Sequence, residues 1–425
     1  MAPPNQGITI VPGTSHTATA RRSQRHRATA AFVTAVLAVL ANAYGPSTVQ
    51  AVAASGAVDI AAGAGIAEVT QSWSVAVGDY DVDGRPDFLL GRHQLPGRLY
   101  DGDGASFLEV DAGTFGASDR HDCTWGDVQG DGLPDLFCSV GAAQGTAKKS
   151  DQLWIQQPDH SFTDEAATMN VVDMYGRGRE ATFIDSNHDA YPDLFVGNDY
   201  PRPDGRRSAN RFFVNNGGTG FSPQHVPGMT AEIGARCAQA ADVTGDGWDD
   251  LLVCGKEELR LYRNAHGAGF TDISRRWQLS GAPKHAVLAD LNGDGRLDIA
   301  RAGGHGLILQ MGGAGRFLRP FVVLRAPYGV RVASGDVDGD GDGDLYLLQG
   351  CVGDVTNRPD RLLLNSGDGR SWSEIPTPEA GVGCGDDAAP LDFDGDGTDE
   401  IVVTNGGGFR NVPRPGPVQL IDVVP

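Results

Sequence analysis

A nine-residue, aspartate-rich motif recurs seven times along the chain, and this repetition constrains the fold more than any local pattern. The seven copies begin at Asp79, Asp127, Asp185, Asp242, Asp290, Asp336 and Asp392. Successive first aspartates are separated by 46 to 58 residues. A period of this length is expected of one propeller blade, which is a small sheet that packs against its neighbours in a radial array.

Each copy places oxygen-bearing groups where a hard cation needs them. Side chains with oxygen occupy positions 1, 3 and 5, a backbone carbonyl can serve at position 7, and a carboxylate stands at position 9. Such a donor set suits Ca²⁺, and a bound cation would relieve the repulsion between crowded carboxylates. We therefore predict up to seven Ca²⁺ ions. The predicted ligands, loop by loop, are Asp79, Asp81, Asp83, Arg85 and Asp87; Asp127, Gln129, Asp131, Leu133 and Asp135; Asp185, Asn187, Asp189, Tyr191 and Asp193; Asp242, Thr244, Asp246, Trp248 and Asp250; Asp290, Asn292, Asp294, Arg296 and Asp298; Asp336, Asp338, Asp340, Asp342 and Asp344; and Asp392, Asp394, Asp396, Thr398 and Glu400.

An EF-hand begins in the same way, but it needs a Glu at position 12 and a helix on each side. Position 12 is instead Leu90, Cys138, Val196, Val253, Arg301, Leu347 and Val403. Short apolar, β-branched runs such as FLLG and IVVTN follow position 9, so each loop is predicted to join two strands. A plain Asp-Gly hairpin turn needs only two special residues and leaves the acidic groups at positions 1, 3, 5 and 9 unexplained.

Three loops depart from the pattern. Gln129 and Thr244 occupy position 3 of the second and fourth copies, and we expect weaker binding there. Ala190 stands at position 6 of the third copy, where a tight turn usually has glycine.

A second pair of strand-like runs follows each loop, as in RFFVNNGGTGFSP from Arg211 and RLYRNAHGAGFTDI from Arg260. The sequence therefore predicts an all-β fold, a seven-bladed β-propeller of four-stranded antiparallel blades, over residues 57–425. Only two strands fit after the seventh loop, so AVDIAAGAGI from Ala57 is predicted to complete the last blade and close the ring. An open solenoid is the alternative, but it would not need this exchange.

The loops and the phrase RLYRNAHGAGFTDI resemble the FG-GAP or VCBS type of repeat. This family includes the propellers of integrin alpha subunits, relatives of cartilage acidic protein and many secreted bacterial proteins. The Gly-Ala-Pro word of the family is reduced here to Gly141-Ala142-Ala143, and its Phe-Gly word is absent before the loops, which favours the bacterial form. The resemblance implies a calcium-stabilised extracellular propeller with a binding or adhesion role.

Residues 1–53 are predicted to be a leader with a secretory signal peptide. Four arginines between positions 21 and 27 precede the apolar stretch AAFVTAVLAVLA, and small-residue cleavage sites lie near residues 43 and 53. The apolar stretch is short for a membrane span. We therefore expect a secreted or periplasmic protein with no membrane span after signal removal.

Six cysteines agree with an oxidising compartment. Two of them flank the second loop and two flank the fourth, at comparable distances on opposite arms of a hairpin, which leaves the last two for each other. A metal site is the alternative, but no C-x-x-C motif occurs. The predicted disulfides are Cys123–Cys138, Cys237–Cys254 and Cys351–Cys384.

The net charge of −21 argues against nucleic acid or an anionic membrane as a partner. Of the 55 acidic residues, 27 lie in the seven loops, so the acidity is mainly a calcium requirement.

Ligands of integrin-like propellers bind over the central funnel, at the face opposite the calcium loops. In this chain the starts of the first strands belong to that face. They carry a basic set that could form an anion-accepting mouth for an acidic sugar or a protein carboxylate. Its members are His121, Arg179, Arg236, Lys284, His285 and Arg331. The alternative is that these groups pair with Asp122, Glu180, Asp386 and Asp387 and seal the channel.

Catalytic motifs such as G-x-S-x-G, H-E-x-x-H and a P-loop are absent from the sequence. We therefore predict a monomeric binding module for an extracellular glycan or protein. The alternative function is a polysaccharide lyase acting on acidic glycans, since some lyases use propellers of this repeat family. In that case His121 or His285 would act as the base and the arginines would hold the uronate.

Overall fold

The computed structural model describes residues 56–111, 113–145, 147–199, 208–351, 358–378, 384–407 and 415–424. The predicted leader and signal peptide, residues 1–53, lie outside this part of the chain. No helix within the described ranges has the length and apolar character needed to cross a membrane.

The described chain is built from repeated four-stranded antiparallel sheets, with one short helix, α1 (Ala142–Gly145). The described part of the chain begins with two short strands, β1 (Gly56–Asp59) and β2 (Val69–Thr70). The next twelve strands follow in groups of four: β3 (Ser72–Gly78), β4 (Asp87–Leu95), β5 (Arg98–Gly102) and β6 (Phe107–Asp111); β7 (Ser118–Gly126), β8 (Asp135–Val140), β9 (Gln152–Gln156) and β10 (Phe162–Asp164); and β11 (Gly178–Ile184), β12 (Asp193–Asn198), β13 (Arg211–Asn215) and β14 (Phe221–Pro223). The remaining strands are β15 (Cys237–Ala241), β16 (Asp250–Cys254), β17 (Leu259–Asn264) and β18 (Phe270–Asp272); β19 (His285–Ala289), β20 (Asp298–Gly303), β21 (Gly306–Gln310), the small hairpin β22 (Gly312–Gly313) and β23 (Arg316–Phe317), and β24 (Phe321–Leu324); β25 (Gly329–Gly335), β26 (Asp344–Gln349), β27 (Arg361–Asn365) and β28 (Trp372–Ile375); and β29 (Asp387–Leu391), β30 (Glu400–Thr404) and β31 (Gly416–Val424).

Every aspartate-rich loop joins the first and second strands of a sheet. Position 9 of the motif is also the first residue of the second strand, as Asp87 is in β4 and Glu400 is in β30. The second strands are apolar without alternation, and Phe88, Leu89 and Leu90 of β4 have no exposed surface. Such continuous burial is expected when a sheet packs on both faces against neighbours. The predicted order of loop and strands is therefore observed.

The two ends of the described chain meet in one sheet. Strand β1 runs antiparallel to β31, with Gly56 opposite Val424 and Asp59 opposite Ile421. The Asp59 carboxylate also accepts a hydrogen bond from the backbone N–H of Leu420 at 3.2 Å. The sheet order is β1-β31-β30-β29, with β2 also paired to β31. The segment at Ala57 thus pairs as the fourth strand of the last sheet.

Neighbouring sheets contact one another through their first strands. The contacts run from β3 to β7, then to β11, β15, β19, β25 and β29, and β29 contacts β3. A second link joins the first two sheets, where β4 pairs with β7 and places His93 opposite Asp119. These contacts gather the starts of the first strands into one region.

Three disulfides are present, as the cysteine spacing predicts. Two of them lie across the first hairpin of their sheets, where β7 pairs with β8 and β15 pairs with β16. The bonds are Cys123–Cys138, Cys237–Cys254 and Cys351–Cys384.

Positions 4 and 6 of all seven loops have a left-handed backbone, so Ala190, with a φ of 69°, is strained as its position predicts. Position 4 of the first loop carries more strain than Ala190 does, because it holds the β-branched residue Val82. Val82 has a φ of 62° and is 56% exposed. We expect Val82→Gly to raise the free energy of unfolding by about 1 kcal/mol, since left-handed backbone costs a residue with a side chain ~1–2 kcal/mol.

Chemical denaturation in saturating Ca²⁺ measures this effect. Val69→Gly is the matched control, because Val69 is also exposed, at 64%, but lies in strand β2. The control should lower stability, since glycine weakens a strand. A Val82→Gly variant that loses as much stability as the control would contradict the strain at position 4.

Candidate functional site

Each aspartate-rich loop is shaped by its own acidic side chains. In the first loop Asp79 accepts hydrogen bonds from the backbone N–H groups of Asp83 and Gly84, both at 3.0 Å. Asp83 at position 5 accepts one from the N–H of Arg85 at 2.9 Å. The bond from position 7 to position 5 recurs in all seven loops. The seven loops therefore share one backbone geometry.

Position 3 separates the loops into two groups. Its side-chain oxygen accepts a hydrogen bond from the position 5 N–H in the five loops that have Asp or Asn there. Among the described residues, the two loops without this bond carry Gln129 and Thr244. These are the loops whose sequence departs from the pattern at position 3.

The position 9 carboxylate is buried and connects the loop to the third strand of the sheet by hydrogen bonds. It is at most 3% exposed in all seven loops. In the first loop Asp87 accepts a hydrogen bond from the N–H of Tyr80 and another from the N–H of Gly102 at the end of the third strand, both at 2.8 Å. Burial raises the pKa of Asp87 to about 7 and that of Asp344, its counterpart in the sixth loop, to about 8. A charged group in this position gains from a cation nearby.

A second set of hydrogen bonds, which sequence reasoning missed, connects each of four loops to the next sheet. A buried amide side chain at the end of a third strand donates to the carbonyl of loop position 2 in the preceding sheet. Asn215 reaches Val128 at 2.9 Å, and Asn365 reaches Leu291 at 2.8 Å. Gln156 and Asn264 make the same bond. The recurrence of Asn or Gln at this point of the repeat was the available signal.

The sixth loop fits a hard cation most closely. Oxygens of Asp336, Asp338 and Asp344 lie within 4.8 Å of one another, and similar carboxylate groups occur in the first and seventh loops. One carboxylate oxygen of Asp336 and one of Asp342 are buried without a hydrogen-bond partner. Burial and the charge of Asp340 raise the pKa of Asp342 to about 6. Crowded, desolvated oxygens of this kind are the donors that Ca²⁺ prefers.

The starts of the first strands fall into an acidic sector and a basic sector. In the acidic sector Arg331 is surrounded by carboxylates, and its guanidinium lies 2.8 Å from Asp387 and 3.7 Å from Glu180. Burial raises the pKa of Asp122 to about 7, although the charge of Arg331 acts in the opposite direction. Arg331 is thus paired with the ring's own acids, as the sealing alternative expects for this residue.

The same sector is linked from sheet to sheet by hydrogen bonds. Asp122 accepts from the N–H of Ala181 at 2.8 Å, and Asp387 accepts from the N–H of Val75 at 3.0 Å. His285 lies 3.5 Å from the N–H of Val332. Burial and then the charge of Arg331 lower the pKa of His285 well below its usual value. Burial thus favours the uncharged form of His285.

The basic sector contains Arg179, Arg236 and Lys284, which the sequence singled out, and also Arg177, which it did not. Arg177 and Arg236 lie 3.4 and 3.7 Å from opposite oxygens of Asp199. Burial and then the charge of Arg177 lower the pKa of Arg179 to about 10, and burial and then Arg236 lower that of Lys284. Four neighbouring cationic side chains, with Asp199 between Arg177 and Arg236, give this sector a positive potential.

His121 lies next to the basic sector and also belongs to a cluster with His93 and Asp119, which sequence reasoning missed. Its ring and that of His93 both face Asp119, at 3.3 and 2.8 Å. Burial and then the charge of Arg179 lower the pKa of His121 to about 4. Although burial acts in the opposite direction, hydrogen bonds from His121 and His93 hold the pKa of Asp119 well below its usual range. The pairing of β4 with β7 creates this cluster.

The long connections that follow the second strands fall partly outside the described residues. Undescribed portions include residues 146, 200–207, 352–357 and 408–414.

Comparison with known proteins identifies the repeat. Two solved β-propeller structures are similar to this chain. BBS1N in complex with ARL6DN, soaked with lead, is 14% identical with a TM-score of 0.50, and the match covers 85% of this chain and 94% of that one. A lectin of Agrocybe aegerita that recognises non-reducing terminal N-acetylglucosamine is 18% identical with a TM-score of 0.47, covering 72% and 81%. The first likeness supports the fold alone.

No curated protein sequence matches the chain. The model of the FG-GAP-like repeat family, in contrast, matches residues 187–253, 242–301, 290–347 and 336–403. Each match begins inside one aspartate-rich loop and ends just after the next, and together they cover just over half of the chain. The chain therefore belongs to the FG-GAP-like repeat family.

Proposed function

We propose that the chain is a secreted, calcium-stabilised, seven-bladed β-propeller that acts as an extracellular binding module for a carboxylate-bearing glycan or protein. The observation that carries the binding role is the basic sector of Arg177, Arg179, Arg236 and Lys284, in which Asp199 faces Arg177 and Arg236. A cluster of cationic side chains is unusual in a chain whose net charge is −21. Guanidinium groups suit carboxylates because they can donate two parallel hydrogen bonds.

A closed ring of seven blades is supported by the contacts between sheets. The first strands touch in chain order and the series returns from β29 to β3. The pairing of β1 with β31 would then fasten the ring by joining the two ends of the chain.

Calcium binding is supported by the carboxylate groups of the first, sixth and seventh loops and by the unpartnered oxygens of Asp336 and Asp342. Side chains at positions 1, 3, 5 and 9 and the carbonyl at position 7 would hold the ion. Bound Ca²⁺ would neutralise these carboxylates and stabilise the hairpin that each loop closes. Three disulfides are in keeping with secretion, because they persist in oxidising compartments.

A binder fits the mouth better than a lyase does. A lyase base must reach a proton of its substrate. His121 is only 7% exposed and faces Asp119, whereas His285 lies against the backbone of Val332. Both of the histidines that could serve as a base are therefore engaged within the protein.

Screening the calcium-loaded protein against a glycan array that contains uronate-bearing and neutral glycans tests the proposal. We expect the hits to carry carboxylates and their affinity to fall as salt rises. Arg236→Gln combined with Lys284→Gln should lower the affinity for a hit about tenfold or more, because a charge-assisted hydrogen bond contributes ~1.5–3 kcal/mol.

Arg276→Gln is the control, since Arg276 is exposed and lies outside the basic sector. Equal affinity in the double variant and the control would contradict a role of the basic sector. Release of unsaturated uronate from a hit would favour the lyase instead.

A further inference from the structure

We propose that His93, Asp119 and His121 form a binding site for a divalent transition-metal ion of the zinc type, separate from the aspartate-rich loops. Two imidazoles and one carboxylate are a donor set that suits zinc, iron and related ions, whereas calcium prefers oxygen donors alone. Nothing in the repeat motif demands these residues, since His93 and His121 lie outside all seven loops.

The distances between the donor atoms match those around one metal ion. Nε2 of His93 lies 2.8 Å from Oδ1 of Asp119, and Nε2 of His121 lies 3.3 Å from the same oxygen. All three donor atoms lie within 4.8 Å of one another. Ligands about 2.0–2.2 Å from a tetrahedral zinc ion are separated by roughly 3.3–3.6 Å, so small side-chain movements would admit the ion.

The backbone holds the three side chains in this arrangement. Asp119 and His121 both lie in β7, where a β-bulge between Arg120 and Asp122 makes His121 the extra residue of the strand, and bulges of this kind redirect a side chain. His93 comes from β4, directly opposite Asp119 in the register of the two strands. The ligands thus stand on strands of two different sheets, and a bound ion would add a cross-link between those sheets.

Neighbouring groups fix the rings and keep space beside them. The Trp73 ring stacks on His93 with 4.6 Å between ring centroids and meets the edge of His121 at 4.4 Å. Gly141 packs so closely that a Cβ there would lie 2.6 Å from Nε2 of His121 and 2.7 Å from Oδ2 of Asp119. Any larger residue at position 141 would therefore crowd two of the three ligands.

Solvent can reach the cluster from one side. The side chain of His93 is 26% exposed, whereas those of Asp119 and His121 are 7% and 5% exposed. The positive charge of Arg179 near His121 opposes a cation, and the nearby Asp199 partly offsets that charge. A metal ion entering past His93 would replace the protons that the two rings now direct at Asp119.

Titration of the mature protein with Zn²⁺ in saturating Ca²⁺, against a chromophoric zinc chelator, tests this site. We expect one equivalent to bind, and His93→Gln to weaken it by more than about 100-fold, the upper end of the loss found when only a supporting group is changed. His305→Gln should bind as the wild type does, because His305 is exposed and remote in sequence from the cluster.

Co²⁺ added to the wild-type protein supplies a readout that does not depend on any variant folding. Coordination by the two histidines should produce visible d–d absorption bands that Zn²⁺ abolishes. Absence of these bands, or Zn²⁺ binding that is the same in His93→Gln and the wild type, would overturn the site and leave the three residues as a hydrogen-bonded cluster.

Discussion

Removal of Ca²⁺ with EDTA should lower the melting temperature of the mature protein by about 10 °C. Ions that bind only the folded state stabilise it by mass action, by ~2.7 kcal/mol for each site at a hundredfold excess over its dissociation constant. The three loops with the tightest carboxylate groups would then contribute about 8 kcal/mol at such an excess, and a domain of roughly 370 residues, whose unfolding entropy grows with its length, loses ~1.3 °C for each kcal/mol.

The reason for so large an effect lies in the sixth loop. Without a cation, Asp336, Asp338, Asp340, Asp342 and Asp344 repel one another, and burial raises the pKa of Asp344 to about 8. Folding must hold these groups together whether or not an ion is present. Calcium therefore changes the loop from a source of repulsion into a cross-link.

Asp338→Asn provides the sharpest form of this test, because asparagine can keep the hydrogen bond that Asp338 accepts from the N–H of Asp340. In Ca²⁺ the variant should be less stable than the wild type, because a charged ligand is lost. In EDTA it should be equally or more stable, because one of the repelling charges is gone. The sign of the difference in free energy of unfolding should therefore reverse. An identical difference under the two conditions, or a melting temperature that EDTA leaves unchanged, would exclude a calcium role for this loop.

The repeat could be predicted from sequence because its chemistry is local. One short stretch of each copy contains the loop, the position 9 carboxylate that ends it and the apolar run that follows. The left-handed backbone at Val82 has no signal in its own copy, and its signal is the glycine that five of the other copies have at position 4.

Contacts between sheets set the limit of the sequence prediction. His93 meets Asp119 only because β4 pairs with β7, and that register depends on how two sheets pack. Arg331 likewise reaches Glu180, which is remote in sequence. Part of the composition of this region was therefore predictable, whereas the presence of Arg177 and the division into an acidic and a basic sector required the structure.

Arg331→Met should lower the free energy of unfolding by ~3–5 kcal/mol at pH 8, the cost typical of removing one partner from a buried ion pair. Arg331 faces the buried acids Asp122, Glu180 and Asp387 and the half-buried Asp386. Its loss leaves these carboxylates uncompensated. Arg276→Met is the control, and at an exposed position it should change stability by less than ~0.5 kcal/mol.

The loss should shrink as the pH falls from 8 to 5.5. Burial raises the pKa of Asp122 to about 7 and raises those of Glu180 and Asp386 well above their usual values. A carboxylate whose folded-state pKa is raised favours folding at low pH, and that contribution is lost as the pH rises through the folded pKa. In the variant these groups can take up protons at pH 5.5 and lose their mutual repulsion.

The lowered pKa of His285 also makes the stability loss of Arg331→Met smaller at low pH. Burial and then the charge of Arg331 lower the pKa of His285, so the wild type loses stability as the pH falls and the unfolded chain takes up a proton. Without Arg331 this penalty is smaller, and the variant again gains on the wild type in acid. Equilibrium denaturation of both proteins at each pH, in saturating Ca²⁺, measures the difference. Arg331→Lys keeps the charge and should fall between the two. A loss that is independent of pH would mean that Arg331 stabilises the mouth by packing rather than by charge.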